Sequence, residues 1–120
     1  MFLEVENLNK SYKNHKNKLL IEELSIFKNL NFSINNENIV TIYGPSGIGK
    51  TTFLNILGTI VTPDSGTISL NGICYSDKTY HSLRKNNIGY VFQFHYLLPE
   101  FNVFENLKLE IVLDKAALEE

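Results

Sequence analysis

The chain of 120 residues holds a single cysteine, Cys74, so it contains no disulfide framework. That fits a reducing cytosol, and a free cysteine of this kind reads as a buried or incidental thiol rather than a nucleophile. No stretch approaches 18 apolar residues, so no membrane-spanning helix is expected. The start, Met1-Phe2-Leu3-Glu4, has neither a basic region nor a long apolar run, so no signal peptide is expected. Basic surface is scarce too. Arg84 is the one arginine against ten lysines, and the net charge is −2, which argues against a nucleic-acid partner. No internal repeat is present. What the chain does have is 43% hydrophobic residues, enough to fill the core of one domain or part of one.

The order of that apolar content is informative. Residues 2–7 read as a first strand, and the polar tract Lys13-Asn14-His15-Lys16-Asn17-Lys18 as a surface loop. In residues 26–35, Leu30, Phe32 and Ile34 alternate with Asn29, Asn31, Ser33 and Asn35. Period two means one buried and one wet face, as in an antiparallel sheet. Residues 38–43 differ, because Ile39, Val40, Ile42 and Tyr43 are interrupted only by Thr41. Such a run predicts a strand covered on both faces, as in a parallel α/β sheet. Phe53, Ile56, Leu57 and Ile60 then follow helical spacing. Pro63-Asp64-Ser65-Gly66 reads as a turn, and Ile68 and Leu70 as a short strand closed by Asn71-Gly72. Residues 79–86 are expected to form a short helix and 88–92 a strand. Asn102 with Glu105 makes a capping box for a helix from 103 to about 112. The fold class is α/β, with an antiparallel part before a partial parallel core sheet.

Between the strand at 38–43 and the helix after it stands Gly44-Pro45-Ser46-Gly47-Ile48-Gly49-Lys50-Thr51. It matches G-x-x-x-x-G-K-[ST] in full, the phosphate loop of nucleotide-binding proteins. Glycines let the backbone curl so that successive N–H groups point at phosphate oxygens, and the following helix aims its positive dipole end at the same anion. Lys50 is placed to reach the β- and γ-phosphates, Thr51 to ligate Mg²⁺, and Thr52 to contact the α-phosphate. Average composition gives about 0.004 chance matches in a chain this long. A bare glycine turn needs neither Lys50 nor Thr51.

Other phosphate-loop enzymes fit less well. A GTPase should show Asn-Lys-x-Asp and Asp-x-x-Gly, and neither occurs. Small-molecule kinases bring arginines to the transferred group, and Arg84 is thin supply. A non-catalytic nucleotide-binding module and an inactive remnant stay open as alternatives.

With the loop placed, the chain resembles the ATP-binding subunits of ABC transporters. Ser11-Tyr12 looks like the family's aromatic loop, which implies that the Tyr12 ring stacks on adenine. Asp64-Ser65-Gly66-Thr67-Ile68 and Asn71-Gly72 look like the turn and strand after the phosphate-loop helix. Ile88-Gly89-Tyr90-Val91-Phe92-Gln93 looks like the strand entering the Q-loop, which implies that Gln93 contacts Mg²⁺ and the attacking water. Leu54-Asn55-Ile56-Leu57-Gly58-Thr59 and the run from Phe92 to Phe101, with Glu105-Asn106, are similar to the lipoprotein-releasing and macrolide-export subgroup. The resemblance implies ATP and Mg²⁺ as ligands, a transmembrane permease docking on Phe94–Phe101, and a second ATP-binding subunit as dimer partner. It also implies a cytoplasmic protein held peripherally on the inner face of the membrane through those partners.

The same resemblance maps 1–120 onto only the first half of the family's domain, from the phosphate loop through the Q-loop. The family's Leu-Ser-Gly-Gly-Gln loop, Asp-Glu strand and switch histidine do not occur. Ile111-Val112-Leu113-Asp114 is no substitute, because Lys115 follows and the segment continues the helix that Asn102 caps. The chain therefore looks like an N-terminal half ending at a truncation, a fragment boundary or a broken frame. These 120 residues alone are predicted not to turn over ATP, since the groups that would handle transition-state charge and water are missing. Steady-state hydrolysis by the purified chain, abolished by Lys50→Ala, would contradict this.

Overall fold

The computed structural model describes residues 2–15, 21–36, 38–92 and 97–108. They fall into two compact units, Met1–Ile88 and Gly89–Glu120. No helix among the described residues is long and apolar enough to cross a membrane.

The first unit is a four-stranded antiparallel sheet with two helices. Its elements in chain order are β1 (Leu3–His15), β2 (Ile21–Ile34), α1 (Lys50–Leu57), β3 (Ser65–Leu70), β4 (Ile73–Cys74) and α2 (Tyr80–Asn86). The strands lie in the order β2-β1-β3-β4. Alternation along β1 sends Leu3 and Val5 to the core, but the next buried residue is Leu8, one position out of phase. The phase change is a bulge. Val5 pairs with Phe32 and Leu8 with Leu30, so β1 spends one residue more than β2 over this stretch. Asn7 and Asn29 sit at the first two of three irregularities in this pairing, with φ of 51° and 52°, a left-handed conformation that asparagine tolerates better than most side chains.

Each bulge leaves backbone N–H groups off the ladder, and asparagine amides accept them. Asn7 N–H donates to Asn31 Oδ1 and Asn29 N–H to Asn9 Oδ1, both at 3.0 Å. Gly66 of β3 lies against the first bulge. A Cβ there would meet Asn7 O at 2.5 Å, so only glycine lets β3 approach. On the other side of β3, Asn71 and Gly72 at φ 50° and 82° form a tight turn into β4.

The core gathers Leu3, Val5 and Leu8 of β1, Ile68 and Leu70 of β3, Phe53 and Ile56 of α1, and Leu83 of α2. Phe53 meets Phe27 and Phe32 of β2 edge-on, at centroid distances of 5.7 and 5.6 Å. Tyr75 O–H donates to Leu57 O at 2.6 Å and so ties the end of α1 to the chain after β4. Burial, helped by Tyr80, pushes the Tyr75 phenol up to about 12, so this donor keeps its proton below that pH.

Several sequence expectations need correction. The first strand runs on to His15, so Ser11, Tyr12 and Lys13 belong to β1 rather than to loops. Ser65 and Gly66 open β3 instead of lying in the turn. Cys74, read as a buried or incidental thiol, is exposed on β4, so only the buried alternative falls. Residues 38–43 and 88–92 form no strand, and Ile39 and Tyr43 are 98% and 89% exposed. A strand exists only by pairing, and neither run has a ladder partner among the described residues. The parallel part of the expected sheet is therefore not formed among them, while the antiparallel part is.

In the second unit, residues 103–108 are helical and the expected capping box is present. Asn102 N–H donates to Glu105 Oε1 at 3.2 Å, and Glu105 N–H to Asn102 Oδ1 at 2.8 Å. Asn106 pins the preceding turn, accepting from Leu98 N–H at 2.9 Å and donating to Phe101 O at 3.1 Å. Ile111–Asp114 lie outside the described residues.

The end of α1 carries local strain. Ile60 N–H bonds to Asn55 O and Thr59 N–H to Ile56 O, which is the Schellman closure. That closure needs a left-handed residue, and the position falls on Thr59 at φ 66°, one past Gly58. Thr59 is β-branched, and its buried Oγ1 has no hydrogen-bond partner among the described residues. Thr59→Gly is expected to raise stability by about 1 kcal/mol, as relief of left-handed strain and of an unpaired hydroxyl outweighs the lost methyl contact. An unchanged or lower denaturation midpoint would contradict this.

Candidate functional site

The phosphate loop joins residues 38–43 to α1 and lies on the surface, with Gly44 to Ile48 exposed. Its curl is set by glycines at two left-handed positions, Gly47 at φ 82° and Gly49 at φ 108°. They are needed for different reasons. A Cβ on Gly47 meets nothing within 4 Å, so only its backbone angle excludes other residues. A Cβ on Gly49 would lie 2.5 Å from Ile26 Cγ2 and 3.3 Å from Phe27 Cζ, so the loop's last glycine also lets α1 start against β2.

Gly49 is the N-cap of α1, and its carbonyl accepts the first helical bond, from Phe53 N–H at 2.9 Å. The N–H groups of Lys50, Thr51 and Thr52 precede that bond and point out of the helix start. No acidic residue lies in the first turn, so the positive end of the helix dipole is not neutralised by the chain itself. Lys50 folds back over the loop and donates to Pro45 O at 2.8 Å and to Gly44 O. An ammonium has three donors, which leaves one for an incoming anion. Gly44, Pro45, Ser46, Gly47, Ile48, Gly49, Lys50, Thr51 and Thr52 thus form one continuous stretch at the exposed loop and the start of α1, with a backbone N–H at every position but Pro45 and one cation.

An apolar groove of about 340 Å³ adjoins the cradle, lined by Phe27, Leu30 and Phe32 of β2, Phe53 of α1, and residues 40–43. Its walls are mostly hydrocarbon and ring, and it meets the cradle at Ile48, Gly49 and Lys50.

Tyr12 lies in β1 and is 42% exposed, at an open cleft shared with Lys13, Glu22, Glu23 and Leu24. It is linked to the cradle through β2. Tyr12 pairs with Leu24, while Gly49 abuts Ile26 and Phe27, two and three residues further along the same strand. At ~3.3 Å per residue that is about 7–10 Å of strand. Gln93 lies outside the described residues, as do Phe94, His95 and Tyr96. No cluster of three metal-ligating side chains occurs among the described residues. Thr51 alone fits a Mg²⁺ that takes most of its oxygens from phosphates and water, which is how this ion is commonly held.

Sequence reasoning missed the residues that organise the neighbourhood of Tyr12. Asp64 reaches across from the turn before β3. It accepts from Ser11 N–H at 2.8 Å and Ser11 O–H at 3.1 Å, and its carboxylate lies 3.5 Å from Lys10 Nζ. The Ser11 backbone donor above all holds the Asp64 carboxyl below its ordinary value of 3.8; desolvation opposes it, and the Ser11 hydroxyl and Lys10 add to the lowering. Nothing in the spacing announces a partner 53 residues away.

Known proteins match this arrangement. Residues 27–120 match the ABC transporter family. The lipoprotein-releasing system ATP-binding protein LolD of Bacteroides thetaiotaomicron is 47% identical over 89 residues, covering 72% of this chain and 41% of that protein. LolD of Wigglesworthia glossinidia brevipalpis is 36% identical over 118 residues, covering 94% of this chain and 48% of that protein. Dimeric MJ0796, a bacterial ABC transporter cassette, superposes with a TM-score of 0.79 at 32% identity, over 92% of this chain and 47% of that one. The same cassette in a post-hydrolysis state bound to ADP and Pi superposes equally well. The chain spans about half the length of the relatives it matches.

The two glycines give the loop a direct test. Gly47→Ala should cost about 1–2 kcal/mol, the left-handed penalty alone. Gly49→Ala should cost about 2–5 kcal/mol, because overpacking against Ile26 and Phe27 adds to that penalty. Equal losses in denaturant unfolding would show that the Gly49–β2 contact is not tight. With the family match running through β2, the loop and both helices, the chain belongs to the ABC transporter family.

Proposed function

We propose that this chain is the nucleotide-seating part of an ABC transporter's ATP-binding subunit, of the lipoprotein-releasing type. The observation that carries the reading is the cradle itself. Gly47 and Gly49 in left-handed turns, the unneutralised start of α1 and the folded-back Lys50 together present donors to an anion and no carboxylate. Residues 44–52 would hold the phosphates, Thr51 would offer its hydroxyl to Mg²⁺, and Tyr12 would stack on the base. Bound Mg²⁺ would neutralise phosphate charge. The domain would comprise 1–120 as part of a larger ATPase domain.

The finer parts rest on the relatives. Two of them are named as lipoprotein-releasing system ATP-binding proteins, and the solved cassette is a dimer. On that basis the partners are a transmembrane permease and a second ATP-binding subunit, and the place is the cytoplasmic face of a membrane. Leu97, Leu98 and Phe101 are exposed in the second unit, which suits an apolar contact for the permease in the Phe94–Phe101 region. Gln93 would position water and Mg²⁺ once the rest of the domain is supplied.

Calorimetry with MgATP tests the reading. Lys50→Ala removes a charge-assisted bond worth about 1.5–3 kcal/mol, so the Kd should rise about 10- to 100-fold. Equal affinities for wild type and variant would sink the assignment. Tyr12→Ala should weaken ATP about tenfold, in the range of base–aromatic stacking, and leave inorganic triphosphate nearly unchanged.

A further inference from the structure

Tyr12 is not a free ring on a strand. Lys10 Nζ sits 5.1 Å from its centroid, within cation–π range. Lys10 is itself held, since its ammonium lies 3.5 Å from Asp64 Oδ1 and its side chain is only 13% exposed. Asp64 also accepts the backbone N–H of Ser11, the residue between Lys10 and Tyr12, at 2.8 Å. The Ser11 hydroxyl lies between two carboxylates, 2.9 Å from Glu23 and 3.1 Å from Asp64, so the β2 side of this stretch of strand is tied down as well.

We infer that Asp64 is a positioning residue for the base-binding ring, fixing the backbone beside Tyr12 and holding Lys10 over the ring, so that a purine meets a ring already oriented. The inference rests on the proposed role of Tyr12. It follows from topology as well as distance. Asp64 belongs to the segment that follows α1, so the chain that leaves the phosphate cradle through α1 returns to β1 beside the ring. Lys10 is not part of the cleft at Tyr12, which is lined by Lys13, Glu22, Glu23 and Leu24, so the cation over the ring leaves that cleft open to a base. The negative charge of Asp64 matters here, because an amide would keep the acceptor for Ser11 N–H but lose its hold on the ammonium. The carboxyl is held below its ordinary value by the same bonds, so it is ionised at neutral pH.

The experiment compares MgATP and inorganic triphosphate by calorimetry on the full chain, for wild type, Tyr12→Ala, Asp64→Asn, Lys10→Met and the double variant Tyr12→Ala/Asp64→Asn. Asp64→Asn should weaken ATP about two- to fivefold and leave triphosphate unchanged. Lys10→Met should reproduce that loss with every Asp64–Ser11 bond intact. In the Tyr12→Ala background, Asp64→Asn should cost nothing further, and the ring resonances of Tyr12 should shift in Asp64→Asn by NMR. A loss in Tyr12→Ala with none in Asp64→Asn would overturn this inference alone. Equal weakening of ATP and triphosphate by Asp64→Asn, or a loss that persists without Tyr12, would overturn it too. Absence of any ATP-specific loss in Tyr12→Ala would overturn the base-stacking reading and this inference together.

Discussion

The seam between α1 and β2 is the contact on which the rest of the unit depends. Phe53 enters between Phe27 and Phe32, edge-on to both, and Gly49 lets the helix begin with Ile26 against it. A buried ring of this kind contributes about 1.5–3 kcal/mol by removal from water, and each edge contact adds about 0.5–1.5 kcal/mol. Against a domain stability of about 5–15 kcal/mol, one side chain carries a sizeable share. It also has a geometric effect. The first helical turn cannot shift without unseating Phe53, so the N–H groups of Lys50, Thr51 and Thr52 are aimed by packing that contains no polar atom. The anion cradle is thus oriented from beneath by hydrocarbon.

The sheet that supplies this seam is held together by an unusual amount of amide chemistry. Asn7, Asn9, Asn29 and Asn31 fill the hydrogen-bond gaps at the first two of three irregularities between β1 and β2, and Gly66 gives the first one room. The bulges are needed because β1 has to bury Val5 and Leu8 on the same face although three positions separate them. A regular strand would turn Leu8 to solvent. Asparagine suits the task, since it tolerates the left-handed region and its side chain is shaped like the peptide group it replaces.

Much of this was legible in the sequence wherever a local rule decides the outcome. The capping box at Asn102 and Glu105, the Asn71-Gly72 turn, the helix after the phosphate loop and the alternation of Leu30, Phe32 and Ile34 all depend on neighbours within a few positions. The phosphate loop was legible for the same reason, because its eight residues carry their own backbone requirements. The extension of β1 through Tyr12 to His15 was not. Its polar residues look like loop, and they are strand only because β2 pairs with them residue by residue from Ser25 to Ile21. Asp64 was equally hidden, since the bond to Ser11 spans 53 positions and a Pro-Asp-Ser-Gly run already has a sufficient local explanation as a turn.

Residues 38–43 show the limit of such rules most sharply. A continuous apolar run states that both faces must be covered, and it was read as a buried strand on that basis. Pattern specifies the need for cover and is silent about its source. Val40, Thr41, Ile42 and Tyr43 line the apolar groove across from Phe27, Leu30 and Phe32, yet all of them are exposed, so the run faces β2 and α1 without being covered by them. Ile39 at 98% exposure has met no partner. Uncovered aliphatic side chains each forgo about 1.5–3 kcal/mol of burial. A backbone without a ladder partner keeps its hydrogen bonds to water instead, so the segment gains nothing by flattening into a strand until a neighbour arrives. The phosphate loop begins at the end of this run, at Gly44. Its far end is fixed by Phe53 and Gly49, and its near end follows residues that are exposed throughout. Ordering of the cradle is therefore asymmetric. The α1 side is set by a packed core, whereas Gly44 and Pro45 are held to it chiefly by the ammonium of Lys50.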